Sequence, residues 1–177
     1  CDVLRQAVKT RGNRNIAVWA EDFFDPRQGV GAFDFVYSHG VVEHFGDLAE
    51  VLKAHASFLA ENGKMLTIIP NMAGVLGLFT RLMNRSIYEI HVPHDLASFE
   101  NGHSAAGLVI TESGYLCSSN FGVLSSCVRD KAGLRFQSYK ALTRLNKVIW
   151  FFEERVSNLP ATNFFAPYIY VVSKRAD

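Results

Sequence analysis

The sequence predicts an α/β domain on three observations. Short apolar runs alternate with amphipathic stretches, as in "FDFVYS" (33–38), "LAEVLKAHASFL" (48–59) and "KMLTIIP" (64–70). Strand, helix and strand in that order make a crossover whose right-handed form requires parallel pairing. Polar residues gather where the first of these strands ends, at Ser38, His39, Gly40, Glu43 and His44. In an open α/β sheet, ligands are met at that edge.

Each element follows from its own pattern. Val3, Leu4, Ala7 and Val8 share a helical stripe, with Gly12 and Asn13 as its stop. Residues 16–19 read as a short strand running into Glu21 and Asp22, and Pro26, Gly29 and Gly31 mark the connection that follows. The near-continuous apolar run 33–38 predicts a strand covered by helices on both faces. Asp47 as N-cap, with Glu50 three residues later, starts a helix with the stripe Leu48, Val51, Leu52, His55 and Leu59, stopping near Asn62 and Gly63. The next strand ends at Pro70, which has no N–H to give a ladder.

Beyond it, Val75, Leu76, Phe79, Leu82 and Met83 orient together on a short helix that covers the sheet or lines a substrate cap. The stretch 86–99 reads as a proline-interrupted loop followed by a helix, and the imperfect alternation over 113–127 is strand-like. Leu142, Leu145, Val148, Ile149, Phe152 and Val156 mark the apolar face of a long helix, and 168–174 is the final strand. These elements make one domain over 1–177, with residues 130–167 as a helical elaboration before the last strand.

Composition narrows the function classes. A chain of 177 residues that is 49% hydrophobic can build a core without metal or disulfide staples. Its net charge of +1 leaves no electrostatic footprint for nucleic acid, and basic clusters at 9–14 and 140–147 read as solvated helix faces. No apolar run reaches the roughly 20 residues that span a bilayer, and "CDVLRQAVKTRG" is too polar for a secretory signal. Three cysteines without a CxxC pair fit a reducing, cytoplasmic setting.

Several groups could carry chemistry. Asp22, at a strand end, is either a solvated carboxylate or an acceptor for an adenine amino group. A turn at Gly40 would let a cofactor approach the backbone closely. His44 has a side chain suited to taking a substrate proton near neutral pH, and Glu43 could orient a neighbour or bind a ligand; equally, the two form an ordinary loop pair. His94 and Asp95, downstream of His91, are either a proton-transfer pair or a helix cap. No HExxH, GxSxG or phosphate-loop sequence is present, and no metal site is expected.

Taken together, "AEDFFD", "FDFVYSHGVVEHFGD", "LAENGKMLTIIPN" and "APYIYVVSKR" resemble the ordered segments of class I S-adenosylmethionine-dependent methyltransferases, in the broad group with an EH sequence after the fourth strand. The resemblance implies a Rossmann-like sheet, S-adenosyl-L-methionine as cofactor and a small-molecule methyl acceptor, with oxygen one possible acceptor atom. It assigns Asp22 to the adenine end of the cofactor, and Ser38, His39, Gly40 and Val41 to its methionine part. Glu43 and Asn71 fall on the substrate side, with His44 beside the transfer centre. Some related quinone O-methyltransferases use a metal site with a further glutamate three residues before the EH glutamate; Gly40 stands there and offers no carboxylate. The family's opening strand and glycine-rich turn do not precede "DVLRQAVKTRG", so the chain is expected to be an N-terminally truncated domain. The alternative is a noncatalytic ligand-binding or assembly domain derived from the same fold.

Overall fold

A computed structural model describes residues 2–10, 15–25, 31–128, 130–157 and 159–176. The chain divides into two units, Cys1–Gly31 and Ala32–Asp177. In the first, α1 (Asp2–Thr10) has Asp2 in its first turn and Lys9 in its last, which complements the helix dipole. Arg5 pairs with Asp2 at 3.3 Å, and its Nε donates to the Val18 carbonyl at 3.4 Å. The expected stop at Gly12 and Asn13 and the connection at Pro26 and Gly29 lie outside the described residues. Residues 16–19 form no strand, contrary to expectation. A strand exists only as one side of a ladder, which an apolar run cannot supply by itself.

The second unit is built on a four-stranded sheet in the order β1-β2-β4-β3: β1 (Phe33–His39), β2 (Leu59–Pro70), β3 (Leu108–Leu116) and β4 (Tyr168–Arg175). The pair β1–β2 is parallel, as the crossover through α2 (Leu48–Ala56) requires. Both pairs made by β4 are antiparallel, so the sheet is mixed. The chain ends of β1 and β2 and the start of β4 therefore lie at one end of the sheet, with His39 opposite Ile68 and Pro70 opposite Tyr168.

Two boundaries move from their sequence positions. Asp47 caps α2 by accepting the Glu50 N–H at 2.9 Å, as its pattern predicts, but the helix stops at Ala56 and Leu59 already belongs to β2. Asn62 and Gly63 lie inside a strand irregularity, where the register jumps from Phe33↔Leu59 to Phe35↔Lys64. A Cβ on Gly63 would come 2.7 Å from the Phe33 carbonyl oxygen, so the glycine that reads as a helix stop serves close backbone approach. The strand expected over 113–127 is β3, which begins at Leu108, and Phe121–Cys127 is a 3-10 helix.

Burial on both faces fails for β1. It is an edge strand in which Phe33, Phe35 and Tyr37 stand on one exposed face and only Ser38 is buried. The main core comprises Leu48, Val51 and Leu52 of α2, Met65 and Ile69 of β2, Phe99 of α5 (Leu96–Ala105), and Ile169 and Val171 of β4. A second cluster joins Val75, Leu76 and Met83 of α3 (Val75–Met83) to Phe121, Leu124 and Cys127. The short helix α4 (Arg85–Glu89) follows α3 and is capped by Asn84. In α6 (Gly133–Glu153) the expected apolar face is largely exposed at Leu145, Val148 and Phe152, and Asn146 alone is buried. Its Oδ1 accepts the Phe121 N–H at 2.9 Å, so a buried polar anchor locates the elaboration.

His103 of α5 is fully buried, with Nε2 2.8 Å from the Thr67 hydroxyl and Nδ1 3.1 Å from the Ser173 hydroxyl. Desolvation lowers its pKa to about 4. An imidazole held neutral in the fold loses ground to the unfolded chain once that chain takes up a proton. Stability is therefore lost as pH falls from about 6.5 toward about 4. Urea unfolding at pH 7.5 and 4.5 is expected to show a loss of about 2–3 kcal/mol from this group. His103→Gln, which cannot titrate, should flatten that part of the pH profile.

Candidate functional site

Where β1 ends, the chain turns through Gly40, whose φ of 69° lies in the left-handed region and whose N–H donates to the Ile68 carbonyl at 3.0 Å. The turn leads into a 3-10 helix, Val42–His44. Val42 is buried as a core residue, which rotates Glu43 inward to 1% exposure and leaves His44 toward solvent. The Glu43 carbonyl accepts the Val92 N–H at 2.7 Å, fastening the segment after α4 over this helix.

His44 Nδ1 lies 2.8 Å from the Ile90 carbonyl oxygen. A carbonyl only accepts, so Nδ1 carries the proton and the lone pair of His44 is on Nε2, 3.9 Å from Glu43 Oε1. His91 repeats the arrangement with Nδ1 2.7 Å from the Ile87 carbonyl oxygen, and the two imidazole centroids are 4.5 Å apart. Neither Glu43 carboxylate oxygen has a hydrogen-bond partner among the described residues. Desolvation raises the Glu43 pKa above the ordinary carboxylate range, partly opposed by its own backbone N–H and by His44. Burial lowers the His91 pKa; the Ile87 carbonyl opposes this and His44 adds to it.

The other expected residues divide between the two units. Ser38 is buried with its Oγ lacking a partner among the described residues, and Val41 is half-buried on the same turn. His39 packs edge-on against Tyr168, with centroids 5.2 Å apart. Asn71 follows β2, fully buried, and its Nδ2 donates to the carbonyls of Asn163 (2.8 Å) and Ala166 (2.9 Å). Its donors thus fasten the loop before β4, leaving Oδ1 as the atom it can offer a ligand. Asp22 belongs to the first unit, where its Oδ1 accepts the Phe24 N–H at 2.9 Å.

Asp95 resolves into a helix cap: its Oδ1 accepts the Ser98 N–H at 2.8 Å, the Ser98 hydroxyl returns to the Asp95 backbone, and these bonds lower the Asp95 pKa. Sequence reasoning missed the union of His91 with Glu43 and His44, and the only signal was the histidine in "IHVPH". It also missed an apolar cavity of about 340 Å³, lined by Phe121, Leu145, Ile149, Leu159 and Phe165, which holds none of the expected site residues. Gly40 supports a direct test of the turn. Gly40→Ala places a side chain in the left-handed region and is expected to cost about 1–2 kcal/mol in urea unfolding, with Gly40→Asn costing less.

No protein-family model and no curated protein matches the chain. Solved structures do. Mitomycin 7-O-methyltransferase MmcR is similar with a TM-score of 0.59 at 14% identity over 99% of this chain and 39% of its own. Geranyl diphosphate C-methyltransferase from Streptomyces coelicolor A3(2), solved with Mg2+, geranyl diphosphate and S-adenosyl-L-homocysteine, gives 0.57 at 16% over 97% and 58%. The [4+2]-cyclase SpnF gives 0.60 at 11% over 99% and 62%. The chain thus spans less than two thirds of the length of each of these three proteins. With its mixed four-stranded sheet and flanking helices, this chain has the Rossmann-like fold of the class I S-adenosylmethionine-dependent methyltransferases.

Proposed function

We propose that the protein transfers the methyl group of S-adenosyl-L-methionine to an oxygen of a small-molecule acceptor, and that it belongs with the class I enzymes carrying an EH pair after the fourth strand. The observation that carries this reading is the meeting, where β1 ends, of the Ser38 hydroxyl, the left-handed turn at Gly40 and the Nε2 lone pair of His44. A buried hydroxyl without a hydrogen-bond partner among the described residues and a turn free of a side chain fit a polar ligand lying against the backbone. Ser38, His39, Gly40 and Val41 would hold its methionine part, and the family resemblance assigns Asp22 to adenine. When bound, S-adenosyl-L-methionine supplies an activated methyl group. The remaining work of the chain is to align the acceptor, exclude water and take the acceptor proton at His44 Nε2. Glu43 and Asn71 line the acceptor side. Cysteine usage supports a cytoplasmic setting, and no helix among the described residues is long and apolar enough to cross a membrane.

The full-length protein, given labelled S-adenosyl-L-methionine and a cellular small-molecule extract, should transfer label to an extract component. Cofactor binding without transfer across a chemically broad extract would instead support a noncatalytic ligand-binding domain. His44 has a partly exposed side chain, so His44→Ala should keep fold and cofactor affinity while transfer falls roughly tenfold or more. His44→Gln can still donate to the Ile90 carbonyl but cannot accept the proton well. A loss as large as that of alanine marks His44 as a base, whereas substantial rescue marks positioning. Unchanged rates in both variants would remove His44 from the reaction.

A further inference from the structure

We propose that Glu43, His44 and His91 form a binding site for a divalent first-row transition-metal ion. One ligand atom from each residue lies within 4.8 Å of the other two, and the three donors are one carboxylate and two imidazoles. Bonds of about 2.0–2.2 Å bring such donors roughly 3–3.5 Å apart around one ion. The 3.9 Å between His44 Nε2 and Glu43 Oε1 closes to that range by a small rotation of the half-exposed imidazole.

Four features make this more than a chance cluster. Both imidazoles are fixed by an Nδ1–H bond to a backbone carbonyl, His44 to Ile90 and His91 to Ile87, which orients ligand histidines and selects the tautomer with Nε2 free. Glu43 is 1% exposed, and both of its oxygens lack a hydrogen-bond partner among the described residues. A buried carboxylate in that state calls for a cation or a proton. Exposure also grades across the site, from buried Glu43 through half-buried His91 to exposed His44. This leaves a path for an ion and room for a further ligand on the solvent side. Finally, the third donor arrives from a separate segment, held in place by the Val92 N–H bond to the Glu43 carbonyl. Mixed nitrogen and oxygen donors favour Zn2+, Co2+ or Fe2+ over Mg2+ or Ca2+. An ion there and an acceptor proton would compete for the one lone pair on His44 Nε2, so His44 acts as a base only in the metal-free protein; ion binding itself does not rest on the proposed transfer function.

The test is a titration of the tag-free full chain with Co2+, read by visible absorption, followed by displacement with Zn2+. One equivalent should saturate the signal, and Zn2+ should abolish it. Glu43→Gln and His91→Asn should each weaken binding at least tenfold. His55→Asn should leave affinity unchanged, since the His55 Nδ1 bonds Val51 within α2, away from the cluster. Imidazole NMR on the unmodified protein reports independently of any variant: Zn2+ should shift the His44 and His91 resonances and spare His39 and His55. Absence of saturable binding, binding unchanged in Glu43→Gln and His91→Asn, or shifts confined to other histidines would overturn the proposal. Ion binding is read without methyl transfer, so either reading can fail while the other stands.

Discussion

The site depends on how β2 is held. On one side it pairs in parallel with β1, and on the other it pairs antiparallel with β4. The parallel pairing forces the α2 crossover and brings the ends of β1 and β2 together, so the turn at Gly40 and the buried Asn71 emerge at one end of the sheet. The antiparallel pairing brings Tyr168 and the loop 163–167 to that same end. Ladder bonds on both sides of one strand thus align segments from the beginning, middle and end of the unit.

Buried polar residues then fix what apolar packing leaves free. Asn71 ties the end of β2 to the loop before β4, Asn146 ties α6 to the 3-10 helix at Phe121, and His103 ties α5 to both β2 and β4. Hydrophobic contact tolerates sliding, whereas a desolvated donor or acceptor has few places where it is satisfied. Glu43 departs from this pattern. It is as buried as the others, yet neither carboxylate oxygen has a hydrogen-bond partner among the described residues, and His44 Nε2 stands 3.9 Å away. The same low-dielectric surroundings that reward a satisfied amide penalise an isolated anion, which is why burial raises the Glu43 pKa.

Proteins with different chemistry are similar to this chain in fold. An O-methyltransferase, a C-methyltransferase and a [4+2]-cyclase share it with this chain at 11–16% identity. The backbone supplies a ligand-binding edge, while acceptor and reaction lie in side chains that differ between proteins. Here Glu43, His44 and His91 come together from two segments, the 3-10 helix after β1 and the stretch after α4.

Local signals were legible in the amino-acid order. Asp47 and Asp95 cap their helices, Pro70 ends β2, and the alternation of strand and helix gives the crossover, because each depends on neighbours a few residues away. The polar cluster from Ser38 to His44 was legible for the same reason, as residues grouped at one strand end. Properties that depend on distant partners were not. Whether β1 is covered or at an edge, whether β4 runs parallel or antiparallel, and whether Gly63 stops a helix or permits a close strand contact are settled by pairing across the sheet. The role of Asn146 as the buried anchor of a largely exposed helix likewise needs its partner at Phe121. His91 completes the group with Glu43 and His44 only through long-range bonds, from the His44 imidazole to the Ile90 carbonyl and from the Val92 N–H to the Glu43 carbonyl, and local spacing contains no term for a bond between distant segments.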